Sequence, residues 1–140
     1  MIAELSPDEI DELLREQVVG RIGCHAGGLT YVVPIIYAFA GGAVYVATIE
    51  GQKTRMMREN PHVCFEIDEY ERGSWRSVIA YGTFEELEGE DAEQALALLA
   101  ERFSRGSGSG PMRRRPSGDG RPTVVFRIRL EEATGRSVAR

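Results

Sequence analysis

The chain has 140 residues, of which 42% are hydrophobic and 28% charged, and its formal net charge is −5. Its length suits one domain spanning residues 1–140, and its composition is that of an ordinary globular protein. The negative balance argues against nucleic acid as a partner, and neither a membrane span nor a secretory leader is visible; the expectation is a cytoplasmic protein without a membrane partner.

The first predicted element is a helix with a full start signal. Ser6 can cap it, Pro7 suits its first position, and Glu9 completes a capping box. Leu5 and Ile10 are spaced as a hydrophobic staple, and Ile10, Leu13 and Leu14 make an apolar stripe that must lie on something. From Val18 the texture turns to β. Val18–Cys24 reads as a strand, Gly27-Gly28 as a turn, and Tyr31–Phe39 as a second strand that is apolar almost throughout. Such a run suggests burial on both faces, under a helix or a partner subunit. Pro34 cannot donate a ladder hydrogen bond, so its strand needs a bulge or an open edge there. Gly41-Gly42 then turns the chain into Ala43–Thr48.

Glu50–Asn60 reads as a short helix ended by Asn60-Pro61. His62–Asp68 and Trp75–Glu86 are strands around a polar turn, and Asp91–Phe103 is a helix with Ala95, Leu96, Leu99 and Phe103 on one face. Ser104–Pro122, rich in Gly, Ser, Pro and Arg, reads as a mobile loop, with Arg113–Arg115 solvated in it. Thr123–Leu130 closes the series as a strand. The fold expected is mainly β: a six-stranded antiparallel barrel with two or three flanking helices, which removes exposed sheet edges.

Chemistry is sparse. Cys24 and Cys64 are too few for a disulfide framework and lack metal-ligand spacing, and His25 and His62 stand alone, so no metal is expected. Three clusters could hold a ligand. Thr48, Gly51, Gln52, Lys53 and Arg55 sit where a strand meets a helix, a place that suits a phosphate. Val32, Val33, Pro34, Ile35 and Tyr37 could line a flat heteroaromatic ring with side chains and freed backbone groups. Trp75 and Ser77 could cover and hydrogen-bond such a ring. A plain reading competes with each: a capped surface helix, barrel core and an aromatic plug. No nucleophile–base–orienter set can be assembled, so any catalysis would belong to a cofactor.

Several stretches, taken in order, carry a resemblance. They are Gly20-Arg21-Ile22, Tyr31-Val32-Val33-Pro34-Ile35, Gly51-Gln52-Lys53 and Arg58 through Glu66, then Trp75-Arg76-Ser77-Val78, Tyr81-Gly82, Arg127-Ile128 and Thr134-Gly135-Arg136. Together they resemble the pyridoxamine 5'-phosphate oxidase-related family of FMN-binding split barrels. The resemblance implies a homodimer with FMN at the subunit interface and an oxidoreductase acting on an unidentified small substrate. It also implies that Thr48, Gln52 and Lys53 hold the phosphate, that Val32–Ile35 border the isoalloxazine ring, and that Trp75 and Ser77 approach it, from the partner subunit in one arrangement. Alternatives within the same fold are a non-catalytic or redox-sensing flavin binder, or a barrel holding a deazaflavin or haem. The chain ends Glu132-Ala133-Thr134-Gly135-Arg136-Ser137 instead of the Arg-Leu-x-Pro type of motif, and has Ala47 where nitroimidazole-resistance relatives carry histidine. The resemblance therefore implies neither of those two activities.

Overall fold

Tyr37 is the corner on which the architecture turns. The computed structural model describes residues 1–104 and 121–139. Its elements are β1 (Ile2–Glu4), α1 (Pro7–Glu16), β2 (Val19–Ala26), β3 (Leu29–Ile36), β4 (Ala38–Ala40), β5 (Ala43–Ile49), α2 (Gln52–Glu59), β6 (His62–Glu71), β7 (Ser74–Glu86), α3 (Gly89–Ser104) and β8 (Thr123–Val138). The ladder order is β3-β2-β6-β7-β8-β5-β4, with β1 paired to β8 off that path. Its two ends, β3 and β4, are neighbours in the chain, divided only by Tyr37. The sheet thus returns to its starting segment through one bent strand, giving a six-walled antiparallel split barrel.

The second expected strand, Tyr31–Phe39, is therefore two strands. Tyr37 breaks it because both its ends are tied elsewhere. Its amide donates to the Val18 carbonyl at 3.1 Å and its hydroxyl to the Leu14 carbonyl at 2.7 Å, while its buried ring meets Phe65 edge-on at 5.0 Å. That corner draws α1 onto the barrel. Ile10, Leu13 and Leu14 of α1 join Ile22, Ile35, Phe65, Ile67, Val78, Phe126 and Ile128 in one core cluster, and Met56 and Met57 of α2 enter it too. The capping box at Ser6 and Glu9 is present, as the sequence predicts.

Two expectations are corrected at the chain's end and start. β8 runs on past Leu130 to Val138, and β1 pairs with its far half. The polar Glu131–Ser137 segment carries no strand signal in the sequence, because a bulge interrupts its alternation. Tyr81 faces Glu132 while Gly82 faces Leu130, leaving Glu131 as the extra residue. At Gly82 a Cβ would collide with the Arg129 carbonyl, so this crossing of β7 and β8 demands glycine. Residues 105–120 lie outside the described residues, and with them most of the expected 104–122 loop and its Arg113–Arg115 run. Among the described residues no helix is long and apolar enough to cross a membrane.

Candidate functional site

The expected burial of β3 on both faces does not hold within the chain. Ile35 is buried, but Val32 is 64% and Ile36 57% exposed, because among the described residues no helix lies over that side of the barrel. Pro34 is explained by an open edge, without a bulge: the β2–β3 register runs unbroken from Val19↔Ile36 to Ala26↔Leu29. The Tyr37-to-Val18 hydrogen bond sets the phase of that ladder. Tyr31, Val33 and Ile35 turn their backbone groups to β2, whereas Val32, Pro34 and Ile36 turn theirs outward. The missing N–H of Pro34 thus falls where no ladder partner exists, and the amides of Val32 and Ile36 are left for something else.

Beside this edge lies a groove of about 450 Å³ lined by Val19, Pro34, Ile35, Ile36, Val46, Ala47, Thr48 and Lys53. It joins the second expected cluster to the first. Lys53 is half-buried, and among the described residues it makes neither an ion pair nor a hydrogen bond. Burial first, and then the Arg121 charge, hold its ammonium below the usual lysine range. α2 begins beside it at Gly51, which offers no capping side chain, so amides of the first turn remain open. A Cβ at Gly51 would touch only the Ile49 carbonyl, at 3.7 Å. The chain itself leaves that space free.

The junction is held rigid from behind. The Thr54 hydroxyl, fully buried, accepts from the Gly51 amide at 3.0 Å and donates to Glu50 at 2.8 Å. Arg58 binds Glu50 at 2.7 Å and Glu86 at 2.7 Å. Arg58, chiefly, holds the Glu50 carboxyl below the ordinary range, so this carboxylate is committed to Arg58 and Thr54. Gln52 is exposed and, among the described residues, reaches only the Met56 sulfur, at 3.8 Å.

Trp75 and Ser77 are not in this groove. They line a second one, of about 490 Å³, with Ile2, Glu66, Ile79, Thr134, Arg136 and Val138. Val32 lines a third, with His25, His62, Cys64 and Tyr81. Val33 is half-buried and packs against the core. Tyr37 is the expected residue whose side chain is withdrawn: it is wholly inside, its hydroxyl spent on Leu14, and it reaches no groove surface. One chain therefore unites Pro34, Ile35, Thr48 and Lys53, and leaves Trp75 and Ser77 apart on the same uncovered sheet.

Two features escape the sequence reading. Arg121 lies over the β5–α2 junction, where its Nη1 points to the Glu50 carbonyl at 3.5 Å. Arg21 sits at the centre of the uncovered sheet between Glu66 and Asp68, at 3.1 and 3.2 Å. The alternation of Arg21 with Gly20 and Ile22 marks it as outward-facing, but its partners are 45 and 47 residues away. No group of three metal-ligating side chains occurs among the described residues.

Comparison with known proteins finds a consistent set. Residues 6–137 match the family model described as pyridoxamine 5'-phosphate oxidase. A solved FAD-binding protein from Mesorhizobium loti is 29% identical with a TM-score of 0.79, over 100% of this chain and 98% of that one. The FAD-binding protein from Mycobacterium smegmatis superposes with a TM-score of 0.71 at 23% identity, over 98% of this chain and 100% of that one. An uncharacterised protein of Rhizobium meliloti is 28% identical, covering 95% of this chain and 93% of its own.

Proposed function

This chain belongs to the pyridoxamine 5'-phosphate oxidase-related family of split barrels, and from that premise we propose that it is a flavoprotein that binds FMN and serves as an oxidoreductase for a small substrate. The observation that carries the reading is one groove uniting the outward backbone edge at Pro34–Ile36 with a half-buried Lys53 that has no partner among the described residues. The donor set fits the cofactor. Lys53, Thr48 and the first amides of α2 suit a phosphate, Val19, Ile35, Ile36 and Val46 suit an apolar ring, and the free edge of β3 suits the ring's polar rim. The relatives described as FAD-binding support a flavin, and Lys53, the single cation lining the groove among the described residues, suits the single phosphate of FMN.

The second part of the proposal is a homodimer formed through the uncovered sheet. Val19, Val32, Ile36, Ile79 and Tyr81 are each more than two-fifths exposed there, an apolar area that a single chain in water does not favour. A second copy would also complete the site, bringing its Trp75 and Ser77 over the groove that Lys53 lines. Bound flavin would supply hydride or electron transfer. The protein's part is to orient the ring along β3, hold the phosphate at Lys53 and exclude water with aliphatic walls.

A second reading is favoured by one observation: the groove of Pro34 and Lys53 is lined by no histidine, cysteine or carboxylate. A flavin held there without acid–base help suits a binding or sensing protein. The experiment is an absorption spectrum of purified protein after adding FMN or FAD and desalting. Retention of the two visible bands of oxidised flavin is the expected result, with FMN held more tightly than FAD. A protein that stays colourless overturns the reading, and a Soret band or a deazaflavin spectrum would reassign the ligand. Oxidation of NADH or NADPH by the loaded protein separates an oxidoreductase from a binder.

A further inference from the structure

We propose that the Arg21–Glu66–Asp68 cluster lies on the two-fold axis of the dimer, so that each copy's surplus carboxylate meets its own image and assembly is favoured in acid. The inference rests on the dimer reading above, in which Ser77 of a second copy covers the groove beside β3. In any two-fold pair, the point midway between a residue and its image lies on the axis. The image of Ser77 stands at the groove of Pro34 and Ile36, so the axis passes midway between that groove and the chain's own Ser77. Between those two places the ladder runs β3-β2-β6-β7, and its midpoint falls between β2 and β6. There Arg21 of β2 faces Glu66 of β6, binding it at 3.1 Å and Asp68 at 3.2 Å. The two ends are level along the strands, since Pro34 pairs with Arg21 and Ser77 with Asp68. The axis therefore runs along β2 and β6 and does not cross them.

Residues on a two-fold axis meet their own copies, so like meets like. One guanidinium balances only one of the two carboxylates, and each copy brings a net negative charge to the seam. Around the cluster β2 presents Val19 and Gly23, β6 presents Cys64, and β7 presents Ser77, Ile79 and Tyr81. Glu69, next along β6, is bound to Arg76. Farther out stand Arg136, Glu131 and Glu132 of β8, with His25 and His62, and with neutral histidines these bring no surplus positive charge. Two clusters face to face set four carboxylates around two guanidiniums, beneath apolar side chains that exclude water. A carboxylate in that setting sheds its charge by keeping a proton. Glu66 already leans this way in one chain, where burial first and then Asp68 push its carboxyl above the ordinary 4.5. A second copy adds to both causes. A group that holds its proton more tightly in the assembled state makes assembly tighter below its titration range and weaker above it. The groove that needs the partner's Ser77 is thereby tied to pH.

Spin labels locate the axis. In a Cys64→Ser background, which leaves only the buried Cys24, single cysteines replace three exposed residues: Tyr70, which continues β6 beyond the cluster, Thr30 on β3 and Glu132 on β8. Pulsed electron resonance on the dimers should give the shortest label-to-label distance at Tyr70 and longer ones at Thr30 and Glu132. A shorter distance at either of those two overturns the placement and leaves the dimer standing. Sedimentation reads the charge. Wild-type association should tighten from neutral to mildly acidic pH, by up to about tenfold per pH unit for each proton taken up. Glu66→Gln, checked for folding by circular dichroism, should associate more tightly than the wild type at neutral pH and lose most of that dependence. Association that is flat in pH, or that weakens in acid, overturns the inference. A wild type that sediments as a monomer at every pH overturns the dimer reading and this inference together, while the flavin spectrum is judged by itself.

Discussion

The outer surface of the barrel has two regions that look alike in sequence and differ in the fold. On one, Tyr45 and Ala47 of β5 and Val125 of β8 turn outward and are covered by α3, whose Ala92, Ala95 and Leu96 pack there with Leu87. On the other, Val19, Val32, Ile36, Ile79 and Tyr81 turn outward and stay exposed, with no helix over them among the described residues. β7 passes through both, carrying Ile79 in the open region and Glu85 in the covered one. Small residues distinguish them. Ala47, Ala92 and Ala95 let a helix approach closely, whereas the open sheet presents branched and aromatic side chains that no helix among the described residues covers. Among the described residues, the chain supplies the cover for one region and leaves the other open.

The sharpest way to break this comparison is to truncate one apolar side chain in each region. Leu96→Ala truncates a residue only 4% exposed on the inner face of α3, and should cost about 2–5 kcal/mol of unfolding free energy. Ile79→Ala, at 43% exposure, should change the unfolding of the isolated chain by less than about 0.5 kcal/mol. Urea titrations at low protein concentration measure both. Equal losses would mean that the open region is stabilised within the chain after all.

Charge insertion sharpens the same contrast at the level of assembly. Ile79→Asp places a carboxylate at the middle of the uncovered sheet, opposite Glu66 and beside Thr134 in register. It should weaken self-association at least tenfold, about 1.4 kcal/mol, while the variant still folds. Analytical ultracentrifugation reads the first, circular dichroism the second. A dimer of undiminished strength would move the interface elsewhere on the molecule. Loss of FMN binding together with dimerisation would support a site completed by the partner's Trp75 and Ser77.

The barrel was legible because its signals are local. The capping box at Ser6 and Glu9, the glycine turns and the alternation of β6 and β7 each lie within a few residues. Tyr37 was misread because its role depends on Leu14 and Val18 across the corner, and nothing beside it in sequence reveals that its hydroxyl is already taken. The far half of β8 was missed because it is polar and interrupted by the Glu131 bulge, and its support comes from β1 and β7. Pro34 and Lys53, both singled out from the sequence, lie together in one groove. Arg121 stands out in no motif, since it is brought to the β5–α2 junction by a strand pairing that spans 74 residues, between Ile49 and Thr123.

The smallest effect concerns charge, and it separates the regions by sign. In the covered region one carboxylate, Glu85, is shared by two arginines, Arg127 and Arg129, each at 2.9 Å. In the open region two carboxylates, Glu66 and Asp68, share one arginine. Arg129 and Arg127 hold the Glu85 carboxyl below its ordinary 4.5. The folded state therefore binds that proton more weakly than the unfolded chain does. Its contribution is complete above the ordinary range and is lost as pH falls through the folded value. Burial, and then Asp68, push the Glu66 carboxyl above 4.5 against the pull of Arg21. Here the folded state binds the proton more tightly, so the contribution is complete below 4.5 and is lost as pH rises through the folded value. Glu85→Gln should accordingly destabilise most at neutral pH and least in acid. Glu66→Gln should show the opposite trend, losing ground in acid and gaining it as pH rises. Both effects should stay below about 1 kcal/mol, because these pairs remain partly solvated. Thermal melts of the monomeric Ile79→Asp background between acid and neutral pH would measure the two slopes free of association. Slopes of the same sign would mean that a cation from elsewhere already reaches Glu66, and that the open sheet is less open than its geometry shows.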